Sequence, residues 1–181
     1  MTDETEQKIL DAALKIFSQK GYDGAKTKAI AKESGFSEVT LFNRFKTKRN
    51  LYDRIAMENI GKLNEDFNVI LKNYRCETPE AFLKNLIKDL AEMFHDNFEF
   101  MHLVVEEASK SHEKVEKEFI NLLSDHIEKN IQNDKIDYQA LALTIFTFTY
   151  MYNLNKYKER TYVDLDTILD RFINNIIMCI Q

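Results

Sequence analysis

The chain has 181 residues, 44% of them hydrophobic, with only four glycines and one proline. This length suits one small module joined to a larger one, and the scarcity of turn residues excludes a many-turned β fold, so the expectation is all-α with about nine helices. Net charge is −5, yet residues 1–50 carry ten Lys and Arg against seven Asp and Glu, while the rest carries 15 against 23; the basic N-terminal part alone suits a phosphate partner.

In chain order, Asp3 with Glu6 three residues on forms an N-cap, and Ile9, Leu10, Ala13, Leu14 and Phe17 recur at helical spacing up to Gly21. A short helix over about Thr27–Ser34 buries Ile30 and Ala31 and is broken by Gly35. Ser37 is placed to cap the next helix, which runs to about Phe45 and buries Val39, Leu41 and Phe45 in part. Thr47 caps a fourth, long helix carrying Leu51, Ile55, Leu63, Phe67 and Leu71.

Thr78-Pro79 starts a fifth helix, the hydroxyl capping and the proline sitting where its missing N–H costs nothing. It buries Phe82, Leu86, Leu90 and Phe94. Further helical periods cover about Glu99–Ser109, Glu113–Asn130, Tyr138–Tyr157 and Val163–Ile180. The Thr-rich stretch 144–149 reads as strand or helix by composition, but it sits inside a helical pattern. The expected division is residues 1–50 and residues 51–181.

Cys76 and Cys179 are far apart and show no metal-ligand spacing, which excludes a disulfide framework and a zinc site and suits a reducing cytoplasm. The acidic start, Met1 to Gln7, does not read as a signal peptide. The apolar-rich run Ala140–Tyr152 falls short of the roughly 18 residues a membrane span needs. A cytoplasmic protein with no membrane role is expected.

The stretch Ile30–Leu51 carries the chemistry. A helix-turn-helix needs two short helices, a glycine-containing turn between them and a small residue where they cross; Gly35 and Ala31 supply the last two. The second helix of such a pair enters the major groove with its N-terminal residues at base edges, which singles out Ser37, Glu38, Thr40 and Asn43. Glu38 is open to two readings: a carboxylate accepting from cytosine N4, or a first-turn acid favoured by the helix dipole.

Ile9-Leu10-x-Ala12-Ala13-x-x-x-Phe17, Gly21-Tyr22, Ile30-Ala31, Gly35-Phe36-Ser37, Thr40-Leu41-Phe42, Phe45 and Lys48-x-x-Leu51 together resemble the DNA-binding domain of the TetR family of repressors. The resemblance covers about Ile9 to Leu51. It implies a double-stranded operator as partner, and a C-terminal helical bundle that encloses a small-molecule pocket and dimerises through its last two helices. Position by position, it implies phosphate-backbone contacts from Thr40 and Lys48, and contacts near the groove from Lys28, Glu38, Phe42, Asn43 and Arg44. Phe42 stands where the family usually has tyrosine, so only apolar contact remains there. Lys26 stands where a Ser or Thr cap is common, and Thr27 is then expected to cap one residue late. Lys46 and Lys48 complete the basic set with Arg49.

In the C-terminal part, Phe67, Met93, Phe94, Phe98, Met101, His102, Phe119, Phe146 and Tyr150 are the expected lining for a small, largely apolar effector. His95, Glu99 and His102 have a spacing that an unbroken helix would place on one face, but without a further common ligand no metal or cofactor is expected. Leu165, Ile168, Leu169, Phe172, Ile173, Ile176 and Ile177 form a wide apolar stripe on the last helix, the expected homodimer interface. The rival to a ligand-released repressor is an all-helical small-molecule carrier or enzyme with no DNA role. No nucleophile triad and no phosphate-cradling glycine loop supports it.

Overall fold

The computed structural model describes residues 3–72, 78–106, 110–162 and 164–180. Among these there are nine helices and no strand: α1 Glu4–Gly24, α2 Thr27–Ser34, α3 Glu38–Phe45, α4 Lys48–Lys72, α5 Pro79–Asp96, α6 Phe98–Glu106, α7 Lys110–Ile131, α8 Tyr138–Tyr157 and α9 Leu165–Ile180. The helices group into two compact units. The first holds residues through Asn64 together with α6 from Glu99, and the second holds Glu65–Phe98 with α7, α8 and α9. The sequence pattern divides the chain at residue 50; by contacts, residues 51–64 of α4 belong with the N-terminal unit.

The caps read from the sequence form as hydrogen bonds. The Asp3 carboxylate accepts from Glu6 N at 2.9 Å, Ser37 Oγ from Thr40 N at 3.1 Å, Thr47 Oγ1 from Asn50 N at 3.0 Å and Thr78 Oγ1 from Ala81 N at 3.2 Å. Each satisfies one of the donors a helix start leaves orphaned, an effect of about 1 kcal/mol. Gly21 does not end α1 as expected. It takes φ 65°, ψ 172°, a kink after which helical structure continues to Gly24, whose end is closed by Ala25 N donating to Gly21 O. Only glycine adopts that backbone cheaply.

In the first unit, Ile9, Leu10, Ala13, Ile16 and Phe17 of α1 meet Ile30 of α2, Leu41 and Phe45 of α3, Leu51, Tyr52 and Ile55 of α4 and Leu103 of α6. Full burial of side chains of this size is favourable by about 1.5–3 kcal/mol each, ample to hold helices as short as α2 and α3 that could not persist alone. Phe17, Tyr22 and Tyr52 add three mutual ring contacts with centroids 5.2–5.8 Å apart.

In the second unit, α5 packs on α7, α8 and α9. Phe82, Leu83, Leu86, Ile87, Leu90 and Phe94 of α5 are buried. Asn153 Nδ2 of α8 donates to Ala91 O of α5 at 3.1 Å and to Thr149 O at 3.0 Å, tying the two helices. The Thr-rich stretch is helical, and its Thr144 and Thr149 hydroxyls donate to carbonyls four residues back, at Ala140 and Ile145.

Candidate DNA interface

The α2–α3 turn is built around Gly35. Its φ of 78° and ψ of 13° place it in the left-handed region, where Gly35 N donates to Lys32 O at 3.3 Å and Phe36 N to Ala31 O at 3.0 Å. This is the Schellman arrangement, with Phe36 folding back onto the core to close it. The turn stops α2 and releases α3 in a new direction.

On α3 the buried positions are Leu41 and Phe45, one turn apart. The opposite face carries Val39, 68% exposed, Phe42, 40% exposed, and Asn43, also exposed. Val39 is therefore not part of the core, contrary to the sequence expectation. It stands two residues before Leu41, about 200° round the helix. Helical phase, not residue type, decides the side on which a valine falls in so short a helix.

One further expectation is corrected, and two expected contact residues have partners inside the protein. Thr27 does not cap α2: the capping position is Lys26, whose side chain makes no cap hydrogen bond, and Thr27 Oγ1 instead donates to Glu38 Oε1 at 2.7 Å. Glu38 is thereby half-buried and pinned to the start of α2, with only its remaining acceptor capacity free for a base. Arg44 turns to the start of α1, where its guanidinium pairs with Asp3 and lies 4.0 Å from Glu6. The Glu6 amide first, and then Arg44, hold the Asp3 carboxyl below its usual range.

Of the remaining expected contacts, Lys26, Lys28, Asn43 and Lys46 are exposed, and Thr40 is half-exposed with its Oγ1 2.9 Å from Ser37 Oγ. Lys46 closes α3 at φ 65° and its Nζ donates to Asn43 O at 2.7 Å. Lys48 is half-buried, its ammonium 4.5 Å from the Tyr22 ring centroid, and Arg49 pairs with Asp53 at 2.9 Å. One exposed helix face with cations before and after it, on a rigid two-helix frame, can enter a DNA groove and bind phosphates on either side.

The residues expected to line an effector pocket are all buried. Phe67 stacks on Phe119 at 4.1 Å, Phe94 and Phe146 lie 5.9 and 5.5 Å from Phe119, and Phe98 lies 6.1 Å from Tyr150. With Met93, these form an aromatic interior in the second unit. Met101 and His102 lie on α6 and belong to the first unit. One described cleft of the second unit is lined by other residues, among them Ala91, His95, Tyr152, Asn153, Lys156 and Leu169. The helical path expected to align His95 with Glu99 and His102 is interrupted at Asn97, with φ −111°, ψ 19°. On α9, Ile173 and Ile176 are buried within the protomer, whereas Leu165, Ile168, Leu169, Phe172 and Ile177 are half-buried; Phe172 stacks on Phe148 of α8 at 3.7 Å.

Fold and site together define an all-helical protein with an N-terminal helix-turn-helix. Residues 9–55 match the family described as "Bacterial regulatory proteins, tetR family". The biofilm operon icaADBC negative transcriptional regulator IcaR of Staphylococcus aureus is 27% identical over 157 residues, covering 81% of this chain and 82% of its own. Two solved structures share the fold: the ketosteroid transcriptional regulator KstR2 of Mycobacterium tuberculosis (TM-score 0.76, 15% identity, 97% and 94% of the two chains), and FadR of Bacillus subtilis in complex with stearoyl-CoA (TM-score 0.66, 17% identity, 93% and 95%). The chain is thus similar to the TetR family over these N-terminal residues, and it shares the fold of the two solved regulators over nearly its whole length. No described helix is long and apolar enough to cross a membrane.

Proposed function

We propose that the protein is a repressor that binds a near-palindromic operator as a homodimer and is released by a small, largely apolar effector. The observation that carries this reading is the outward face of α3, with Val39, Phe42 and Asn43 held rigid over buried Leu41 and Phe45 by the Gly35 turn. One eight-residue helix spans only a few base pairs, so useful specificity asks for two copies with reading helices about 34–36 Å apart. The half-buried apolar residues of α9 are the surface available for that pairing. Repression is favoured by likeness to IcaR, a negative regulator. An apolar effector is favoured by the phenylalanine interior of the second unit, and by the stearoyl-CoA held by FadR.

The test is salt-dependent binding to duplexes selected from a random pool. Affinity should fall linearly on a log–log plot against salt, and Lys28→Ala should flatten the slope by about one unit, because each neutralised phosphate releases about one counterion. A protein that enriches no duplex, or binds with no salt dependence, is a carrier without a DNA role.

A further inference from the structure

We propose that Val39 selects thymine at one position of each half-site, burying the thymine 5-methyl group against its own γ-methyls. The inference rests on the reading above, that α3 enters a DNA groove, and names the chemical feature it recognises.

Four side chains occupy the cap and first turn of α3, and three of them have partners inside the protein. Ser37 Oγ accepts from Thr40 N, Thr40 Oγ1 lies 2.9 Å from Ser37 Oγ, and Glu38 Oε1 accepts from Thr27. Val39 alone of the four points outward as an apolar group, 68% exposed. Phe42, one turn on and 40% exposed, extends the same strip. An isopropyl group here adds nothing to the core, and its exposure to water is unfavourable until something apolar covers it.

In the major groove the only apolar group on a base edge is the thymine methyl; cytosine, adenine and guanine offer hydrogen-bonding atoms. The first turn of a reading helix is the part that reaches base edges. A β-branched side chain in a helix has essentially one χ1 rotamer, so Val39 presents its methyls in a fixed place and loses little freedom on contact. Geometry, chemistry and stiffness thus converge on one base-edge group.

The experiment uses the full chain and a duplex enriched by the wild-type protein from a random pool. Each thymine is replaced in turn by deoxyuridine, which removes the methyl and leaves base pairing unchanged. Wild type should bind about fourfold more weakly when one particular thymine is replaced, the ratio expected for one buried methyl. Val39→Ala, at an exposed position that leaves the fold intact, should show a smaller penalty at that thymine, because only the β-carbon remains to meet the methyl. The inference falls if no thymine shows the penalty, or if the penalty persists undiminished in Val39→Ala. A protein that enriches no duplex removes the DNA-binding reading itself, and this inference with it, so the two failures are told apart.

Discussion

The Thr27–Glu38 hydrogen bond joins the starts of α2 and α3, 11 residues apart in sequence, and its removal gives a measurable test of how the reading helix is aimed. Thr27→Val keeps the shape and deletes the donor; Glu38→Ala deletes the acceptor. A hydroxyl bonded to a carboxylate contributes about 1.5–3 kcal/mol when well buried, and both partners are half-exposed here, so about 1 kcal/mol is expected. In urea unfolding, the double variant should therefore lose about 1 kcal/mol less than the sum of the two single losses. The same four proteins, put through duplex selection, separate the two roles of Glu38. If its carboxylate reads cytosine N4, Thr27→Val should blur the preference at the same base pair as Glu38→Ala, because the carboxylate loses its tether. Strictly additive stability losses, with unchanged base preference in Thr27→Val, would refute the idea that this bond positions α3.

Lys46 holds φ 65° at the end of α3, so Lys46→Gly should raise stability by about 0.5–1 kcal/mol in urea melts while weakening DNA binding; lower stability would show that its hydrogen bond to Asn43 O outweighs the strain. Burial raises the Glu99 carboxyl above the usual glutamate range, with Lys15 opposing and Asp11 adding to the rise, so the folded chain binds that proton more tightly than the unfolded one. Stability from this group therefore falls as pH climbs from the ordinary glutamate value through the raised folded value, and Glu99→Gln should melt higher than wild type at pH 7 but not at pH 4; an equal gap at both would refute it. For the dimer, Ile173 is only 2% exposed and its replacement by Asp would break the protomer, so the informative variant is Ile177→Asp at a half-buried position. It should sediment as a folded monomer and lose operator affinity, and a monomer with native affinity would refute the paired-site reading.

The local parts of this structure were legible in the sequence because they rest on short-range chemistry. Ser37, Thr47 and Thr78 cap the helices they precede, and Gly35 takes the left-handed turn, since each acts on a backbone group within a few residues. The outward position of Val39 is not legible from its hydrophobicity, because in a helix of only eight residues phase alone separates it from buried Leu41. The pairing of Arg44 with Asp3, 41 residues away, and of Thr27 with Glu38 left no periodic trace, because long-range partners depend on how the helices cross. The aromatic residues of the second unit were legible as interior, but the way their rings stack is a property of packing that composition does not encode.

The basic character of residues 26–49 overstates the charge free for DNA, and the ion pairs show by how much. A phosphate that takes Arg44 must displace Asp3, and one that takes Arg49 must displace Asp53, so the gain is a difference between two charge pairs. Lys48 likewise leaves a ring face when it leaves Tyr22. Lys26 and Lys28 form no salt bridge among the described residues, and the start of α2 therefore carries cations whose Coulomb attraction is available to a phosphate backbone, whereas Lys32 already acts on the neighbouring Glu33 carboxylate. In the function proposed above, affinity and specificity divide between neighbouring segments: Lys26 and Lys28 supply uncommitted charge for any duplex, and α3, whose first-turn polar groups are already engaged, discriminates through the apolar and amide groups it leaves exposed.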